Sequence, residues 1–289
     1  MGRLEKWLAK GVMISDGAWG TELQARGLPL GAIPDRWNLT HPEQVEAVAR
    51  SYVAAGSEII LTNTFRANAI AMRSRSAAEL DTINRAAVAI SKQSAGKRVL
   101  VFASIGPAGK SLSSGEVSAK ELTAAFGAQA ESLAAGGADA LLIETMTDPE
   151  EARLGVRAAK ATGLPVIASF AFDSGKNKDL TAAGATPEAA AAAMEEAGAD
   201  GVGANCGVGV DLSVGICRRL HAACGLPLWI KPNAGLPAVQ GAAIRYGTTA
   251  ESFASHFAAL REAGASFIGG CCGSTPEFIR ALVAARAAA

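Results

Sequence analysis

Histidine is scarce in this sequence: there are three in 289 residues, and none falls where a short apolar run ends, so a histidine base is not expected. Aromatic residues make up only 5%, too few for the stacking platforms that grip single-stranded nucleic acid. Neither sign of charge is in excess. Lysine plus arginine and aspartate plus glutamate each total 27, whereas a nucleic-acid or anionic-membrane surface needs a basic surplus. No stretch approaches the ~20 uninterrupted apolar residues of a membrane span, because Glu, Asp or Gly punctuates the alanine-rich runs. The opening ten residues read as a short amphipathic helix without the continuous apolar segment of a secretory signal. Lys6 stands where a myristoylation signal wants serine or threonine. Cysteines number five, an odd count with Cys271 and Cys272 adjacent. That is a poor disulfide framework and suits a reducing cytoplasm, where clustered cysteines bind metal or do chemistry.

Core-forming material, by contrast, is plentiful. Hydrophobic residues make up 49% and charged residues 19%, and no break in composition marks a second domain, so 1–289 reads as one domain. One joint recurs along it. Ala55-Gly56-Ser57-Glu58, Gly137-Ala138-Asp139, Ala197-Gly198-Ala199-Asp200 and Ala263-Gly264-Ala265-Ser266 each end a helical run on a glycine and lead through a small polar link into a short apolar run. Gly163-Leu164-Pro165, Gly225-Leu226-Pro227 and Gly96-Lys97-Arg98 lead into similar runs, and Val12-Met13-Ile14 adds another near the start. Eight such runs, too brief for helices and apolar along their length, read as strands buried on both faces. Asp148-Pro149-Glu150, Thr186-Pro187-Glu188 and Thr275-Pro276-Glu277 each supply a helix cap, a proline at the first helical position and an acid in the first turn. Thr40-His41-Pro42-Glu43 has capping-box spacing. Eight strands alternating with helices predict an α/β fold, a single (β/α)8 TIM barrel, whose typical size of ~250 residues suits this length. A doubly wound open sheet is the weaker alternative, since no Gly-x-Gly-x-x-Gly follows the first strand.

In such barrels the chemistry lies at the C-terminal ends of the strands. Taken in order, those positions hold Asp16 and Gly17; Thr62, Asn63 and Thr64; Ser104; Glu144; Ser169; Asn205 and Cys206; Lys231 and Asn233; and Cys271 with Cys272. Strand ends six and eight therefore offer three thiols that are remote in sequence. Three thiolates with one replaceable position describe an open zinc site, and soft ligands favour zinc over magnesium or calcium. Buried cysteines as small hydrophobes, and a vicinal disulfide between Cys271 and Cys272, are the other readings of the same positions. Cys217 and Cys224, in or just beyond a helical run, read as structural. Gly269-Gly270 and Gly273 matter because a straight strand would send Cys271 and Cys272 to opposite faces; both can meet one ion only if the strand ends irregularly there.

At these residues the sequence resembles the homocysteine S-methyltransferase family, which includes the homocysteine domain of cobalamin-dependent methionine synthase and the betaine- and S-methylmethionine-dependent enzymes. The matching segments run nearly the whole length: Asp16-Gly17-Ala18-Trp19-Gly20-Thr21-Glu22-Leu23, Asn38-Leu39-Thr40-His41-Pro42-Glu43, Leu61-Thr62-Asn63-Thr64-Phe65, Ser104-Ile105-Gly106-Pro107, Ile143-Glu144-Thr145-Met146, Gly203-Ala204-Asn205-Cys206, Pro232-Asn233-Ala234-Gly235 and Gly269-Gly270-Cys271-Cys272-Gly273. The resemblance implies Zn2+ on Cys206, Cys271 and Cys272, with the thiol of L-homocysteine entering the open position as a thiolate that attacks an electrophilic methyl group. It implies Glu144 and Asp16 at the substrate's amino end, with Gly17, Thr64 and Asn205 nearby. Asn233 is similar to the residue that fills zinc's fourth position until substrate arrives in the cobalamin-type enzymes. The betaine enzymes use a tyrosine directly after the strand-four glutamate, where this chain has Thr145.

Two other readings compete. Gly269-Gly270 and Gly273 suit a phosphate-binding barrel with Asp16 and Glu144 as acid and base and Lys231 as an amine, and a non-catalytic zinc- or thiol-sensing barrel is the other. The first leaves three thiols without a role, and with proline directly behind it Lys231 reads as structural. The details of the motifs look more like the cobalamin-linked branch. No cobalamin or folate domain is expected within this length, which points to a separate corrinoid protein or a small donor such as S-methylmethionine. No nucleic-acid or membrane partner is expected, and the expected location is cytoplasmic.

Overall fold

The glycine joints fold as their chemistry dictates. In the computed structural model, which describes residues 2–240 and 243–289, Gly56, Gly137, Gly198 and Gly264 take φ of 99°, 96°, 79° and 100°. This is the left-handed region where a side chain is strained, and a parallel strand begins one to three residues after each. Eight strands form one all-parallel sheet: β1 (Met13–Ile14), β2 (Ile59–Leu61), β3 (Leu100–Ile105), β4 (Ala140–Met146), β5 (Val166–Phe170), β6 (Gly201–Gly209), β7 (Leu228–Asn233) and β10 (Ala265–Ile268). Their order is β1-β10-β7-β6-β5-β4-β3-β2, with helices between successive strands, and the architecture is the expected (β/α)8 barrel. A separate antiparallel hairpin, β8 (Pro237–Gln240) with β9 (Ala243–Tyr246), interrupts the pattern after β7. No helix among the described residues is long and apolar enough to cross a membrane.

The ladder leaves a seam between β1 and β2. There the Glu58 amide donates to the Ile14 carbonyl at 2.8 Å, while two side chains stand in for backbone. The Asp16 carboxylate accepts the Leu61 amide at 2.7 Å, and the Glu58 carboxylate accepts the Ile14 amide at 3.0 Å. Arg286, from the last helix, pairs with Glu58.

Strand side chains alternate, so one set faces the barrel axis. At its N-terminal end that set is apolar and aromatic: Ile59, Phe102, Leu142, Ile167, Trp229 and Phe267 are buried together, and Leu4 and Trp7 of the helix Arg3–Leu8 plug the opening. Phe102 and Trp229 stack with centroids 5.7 Å apart, and Trp229 and Phe267 lie 5.5 Å apart. Gly203 is glycine because a side chain there would strike the backbone of Trp229.

The expected caps form at Asp148, Thr186 and Thr275, each of which accepts a first-turn amide. The expected capping box at Thr40 does not. Thr40 closes a short helix of its own, Trp37–Thr40, and bonds back to Arg36. The next helix, Pro42–Ala55, therefore starts after an uncapped His41, with the fixed φ of Pro42 doing the nucleating.

Candidate metal centre

Two residues further along each strand, the inward-facing set becomes polar: Phe102 is followed by Ser104, Leu142 by Glu144, Ile167 by Ser169, Gly203 by Asn205 and Trp229 by Lys231. The aromatic floor therefore carries a layer of hydrogen-bonding groups, and above it opens a cavity of about 360 Å³ at the C-terminal end of the barrel. Glu144, Thr145, Lys231, Cys206, Cys271 and Cys272 reach its wall, as do Trp19 and Phe65. Among the described residues no histidine lines it.

The three thiols come together. Their sulfurs all lie within 4.8 Å of one another, and Cys206 Sγ is 3.8 Å from Cys272 Sγ. Two 2.3 Å zinc–sulfur bonds at a tetrahedral angle require a separation of about 3.8 Å. All five cysteines are free, so the vicinal disulfide is not formed. β10 ends at Ile268, and Cys271 and Cys272 follow in a loop and turn, which frees them from strand alternation as the flanking glycines suggested. The loop is pinned from both sides. Cys271 donates its amide to Pro232 O at 2.8 Å, Ala234 donates to Cys272 O at 3.0 Å, and Gly270 donates to Asp16 O at 3.1 Å. Cys206 reaches the same point by a left-handed backbone, φ 60°, at an irregularity in the β6–β7 register.

The trio resists ionisation by itself. Hydrogen bonding to Cys271 pulls the Cys206 thiol down, but hydrogen bonding with Cys272 and burial outweigh it, leaving it pushed up to about 12. For Cys272 the hydrogen bond with Cys206 lowers, yet the bond with Cys271, its charge and burial win, and the thiol is again pushed up to about 12. Hydrogen bonding with Cys206, then burial, raises Cys271 further. Three sulfurs this close ionise together only if a cation compensates them. Asn233 adds a second mark of a missing partner: it is buried, its Nδ2 donates to Gly207 O at 3.3 Å, and its Oδ1 has no hydrogen-bond partner.

The sequence profile of the homocysteine S-methyltransferase family matches residues 13–286. The chain belongs to that family. Methionine synthase from Mycobacterium tuberculosis (strain H37Rv) is 33% identical over 295 residues, covering 96% of this chain and 25% of that protein. The Mycobacterium leprae methionine synthase is 32% identical, covering 96% and 24%. The chain thus spans about a quarter of the length of these relatives. The metallated form of the Escherichia coli homocysteine methyltransferase MmuM superposes with a TM-score of 0.81 at 25% identity, covering 98% of this chain and 99% of that one.

The sequence-predicted set divides. Glu144, Gly17 and the three cysteines line the cavity. Gly17 brings bare backbone to the wall, since a Cβ would meet the Tyr52 hydroxyl at 2.7 Å. Asp16 lies behind the wall, fully buried, and accepts from Lys231 Nζ at 2.5 Å, Trp19 Nε1 at 2.7 Å and the Leu61 amide. Thr64 is also fully buried. Its hydroxyl donates to Ser104 O at 2.6 Å and accepts from Thr62, tying β2 to β3. Asn205 sits beneath the wall, bonded to Thr145 and Ser169. Cys217 lies within the helix Val210–Ala223 and Cys224 just beyond its end, neither lining the cavity, as expected of structural cysteines.

Lys231, read from the sequence as structural, Thr145, noted only as the counterpart of the betaine enzymes' tyrosine, and Tyr246, which the sequence reading did not single out, also take part. Lys231 is buried against Asp16. Thr145 has φ 61°, a conformation that β-branched residues avoid. Tyr246, at the end of the unforeseen hairpin, packs on Gly273. The runs on either side of Gly241 were the only available signal for that hairpin.

At the cavity mouth, buried Asp35 accepts the Arg66 amide at 2.8 Å, and burial raises its carboxyl from 3.8 to about 6. A carboxyl raised in the folded state lends stability below its ordinary value and loses it as the pH climbs through the raised one. From pH 4 to pH 7, Asp35→Asn is therefore expected to gain on the wild type by up to ~3 kcal/mol in denaturant unfolding; a constant difference between them contradicts a raised Asp35.

Proposed function

We propose that the chain, 1–289, is a single homocysteine-binding barrel that transfers a methyl group to the sulfur of L-homocysteine to give methionine, with zinc held by Cys206, Cys271 and Cys272. This reading rests on three reduced thiols converging within 4.8 Å of one another on a cavity that also presents Glu144. When bound, zinc holds an acceptor thiol as thiolate at neutral pH, although a free alkyl thiol titrates near ~8.5. The unpartnered oxygen of Asn233 supports it as the fourth ligand in the absence of substrate.

The chain's own residues place the rest of the substrate. Glu144 accepts the Ser104 hydroxyl on Oε1 and offers its carboxylate to the substrate ammonium. Burial raises the Glu144 pKa, and Lys231 acts against that rise, with the Ser104 hydrogen bond helping it. Asp16 serves the amino end indirectly by fixing Lys231, and the Gly17 backbone suits the substrate carboxylate. The aromatic floor excludes water from beneath. The thiols need a reducing compartment, which supports a cytoplasmic location.

A phosphate-binding barrel is less well supported. The Gly269, Gly270 and Cys271 amides are already donated to Ile230, Asp16 and Pro232 carbonyls, and the proposed amine, Lys231, is buried in an ion pair. The methyl donor is a methyl-corrinoid protein or a small sulfonium such as S-methylmethionine, and one assay tests both. Purified reduced protein is expected to hold one zinc and to form methionine from homocysteine with a member of the panel S-methylmethionine, S-adenosylmethionine, betaine and methylcobalamin. Protein that takes up no zinc, or zinc whose environment ignores homocysteine, contradicts the proposal.

A further inference from the structure

One side chain touches both halves of the site without reaching the cavity. Asn205 is 2% exposed and sits on β6 immediately before Cys206. Its Oδ1 accepts the Thr145 amide at 2.8 Å and also the Ser169 hydroxyl. Its Nδ2 donates to Thr145 Oγ1 at 2.7 Å and lies 4.0 Å from Cys271 Sγ. Both strands that it joins are irregular at this level. The β4–β5 register shifts between Ile143 and Met146, and the β6–β7 register shifts between Cys206 and Gly209. Each irregularity holds a non-glycine residue in the left-handed region, Thr145 at φ 61° and Cys206 at φ 60°. Such conformations persist only where surrounding bonds enforce them, and bulges of this kind re-aim the neighbouring side chains. The neighbours here are Glu144 on one strand and the sulfur of Cys206 on the other.

We propose that Asn205 is a positioning residue which, through Thr145, fixes the span between Glu144 and the thiol cluster and so fits the site to a four-carbon amino-acid thiol rather than a three-carbon one. This rests on the acceptor reading above and deepens it. A substrate tethered by its ammonium at one end and its sulfur at the other is measured by that span, and cysteine is one methylene shorter than homocysteine. Two bulges bolted together by a single carboxamide hold the distance.

The experiment uses cobalt(II) in place of zinc, so that thiol binding is read from the visible ligand-field spectrum as well as from turnover. Titrations with homocysteine and with cysteine compare the wild type with Thr145→Val, which keeps the branched shape but loses the hydroxyl. Asn205→Asp keeps the acceptor and loses the donor. Thr145→Ser restores the hydroxyl and is the rescue. Thr145→Val and Asn205→Asp are expected to bind one equivalent of cobalt while the preference for homocysteine over cysteine falls about tenfold, the value of one methylene in a fitted pocket. Thr145→Ser is expected to keep the wild-type preference. A preference unchanged within about twofold in both altered proteins, whatever their melting temperatures, overturns the positioning role, because a purely structural bolt moves stability and not the ratio. If the wild-type spectrum does not respond to homocysteine at all, the acceptor reading itself fails, and this inference with it.

Discussion

Alanine at Cys206, Cys271 or Cys272 is expected to abolish zinc retention and methyl transfer while leaving a folded barrel. Each thiol supplies one of three ligands. Losing one should exceed the ~10- to 100-fold loss in affinity that follows removal of a group merely supporting a ligand. The fold should tolerate the change because Cys271 and Cys272 lie beyond the end of β10, outside the ladder, and Cys206 sits where the β6 register is already broken. Metal content by atomic absorption, methionine formation and circular dichroism on the same preparations check the three parts together. Full turnover in any one of these variants would end the metal-centred account. Cys206→Gly is a useful companion, since glycine takes φ 60° without strain and removes the thiol at less conformational cost.

The second large effect is expected at Lys231. Its side chain is 3% exposed and that of its partner Asp16 is 0% exposed, so Lys231→Met strands a carboxylate in the interior. Breaking a buried pair from one side costs about 3–5 kcal/mol, whereas neutralising both partners is much cheaper. Denaturant unfolding should show Lys231→Met strongly destabilised and the double variant Asp16→Asn/Lys231→Met largely recovered. A single variant within about 1 kcal/mol of the wild type would mean that Asp16 is not relying on Lys231. Homocysteine affinity should fall in both, because Glu144 loses the cation that works against its raised pKa.

The barrel was legible in the sequence because its grammar is local: glycines that end helices, prolines that begin them and short apolar runs between. The thiol trio was legible because barrel topology gathers strand ends, whatever their separation along the chain. What strand-end position does not specify is the face. Asp16 and Thr64 occupy the right level, yet their side chains turn into the wall, because the seam and the β2–β3 junction need their oxygens. The partner of Lys231 was unreadable for a different reason: it lies 215 residues away, and nothing local to Lys231-Pro232 announces an ion pair. The left-handed conformations of Thr145 and Cys206 run against the preferences of those residue types and are imposed by tertiary bonds. The hairpin ending at Tyr246 is built from segments too short to carry a clear periodicity.

The seam has an evolutionary consequence. Asp16 substitutes for a missing strand carbonyl where the first stave meets the second, so discarding it opens the hoop as well as altering the pocket behind it. A descendant that had abandoned its chemistry could shed its sulfurs freely but would still need a side-chain acceptor at this position, an aspartate or an asparagine. Its survival in such a lineage would testify to architecture, and only the sulfurs and Glu144 would report whether catalysis had been retained.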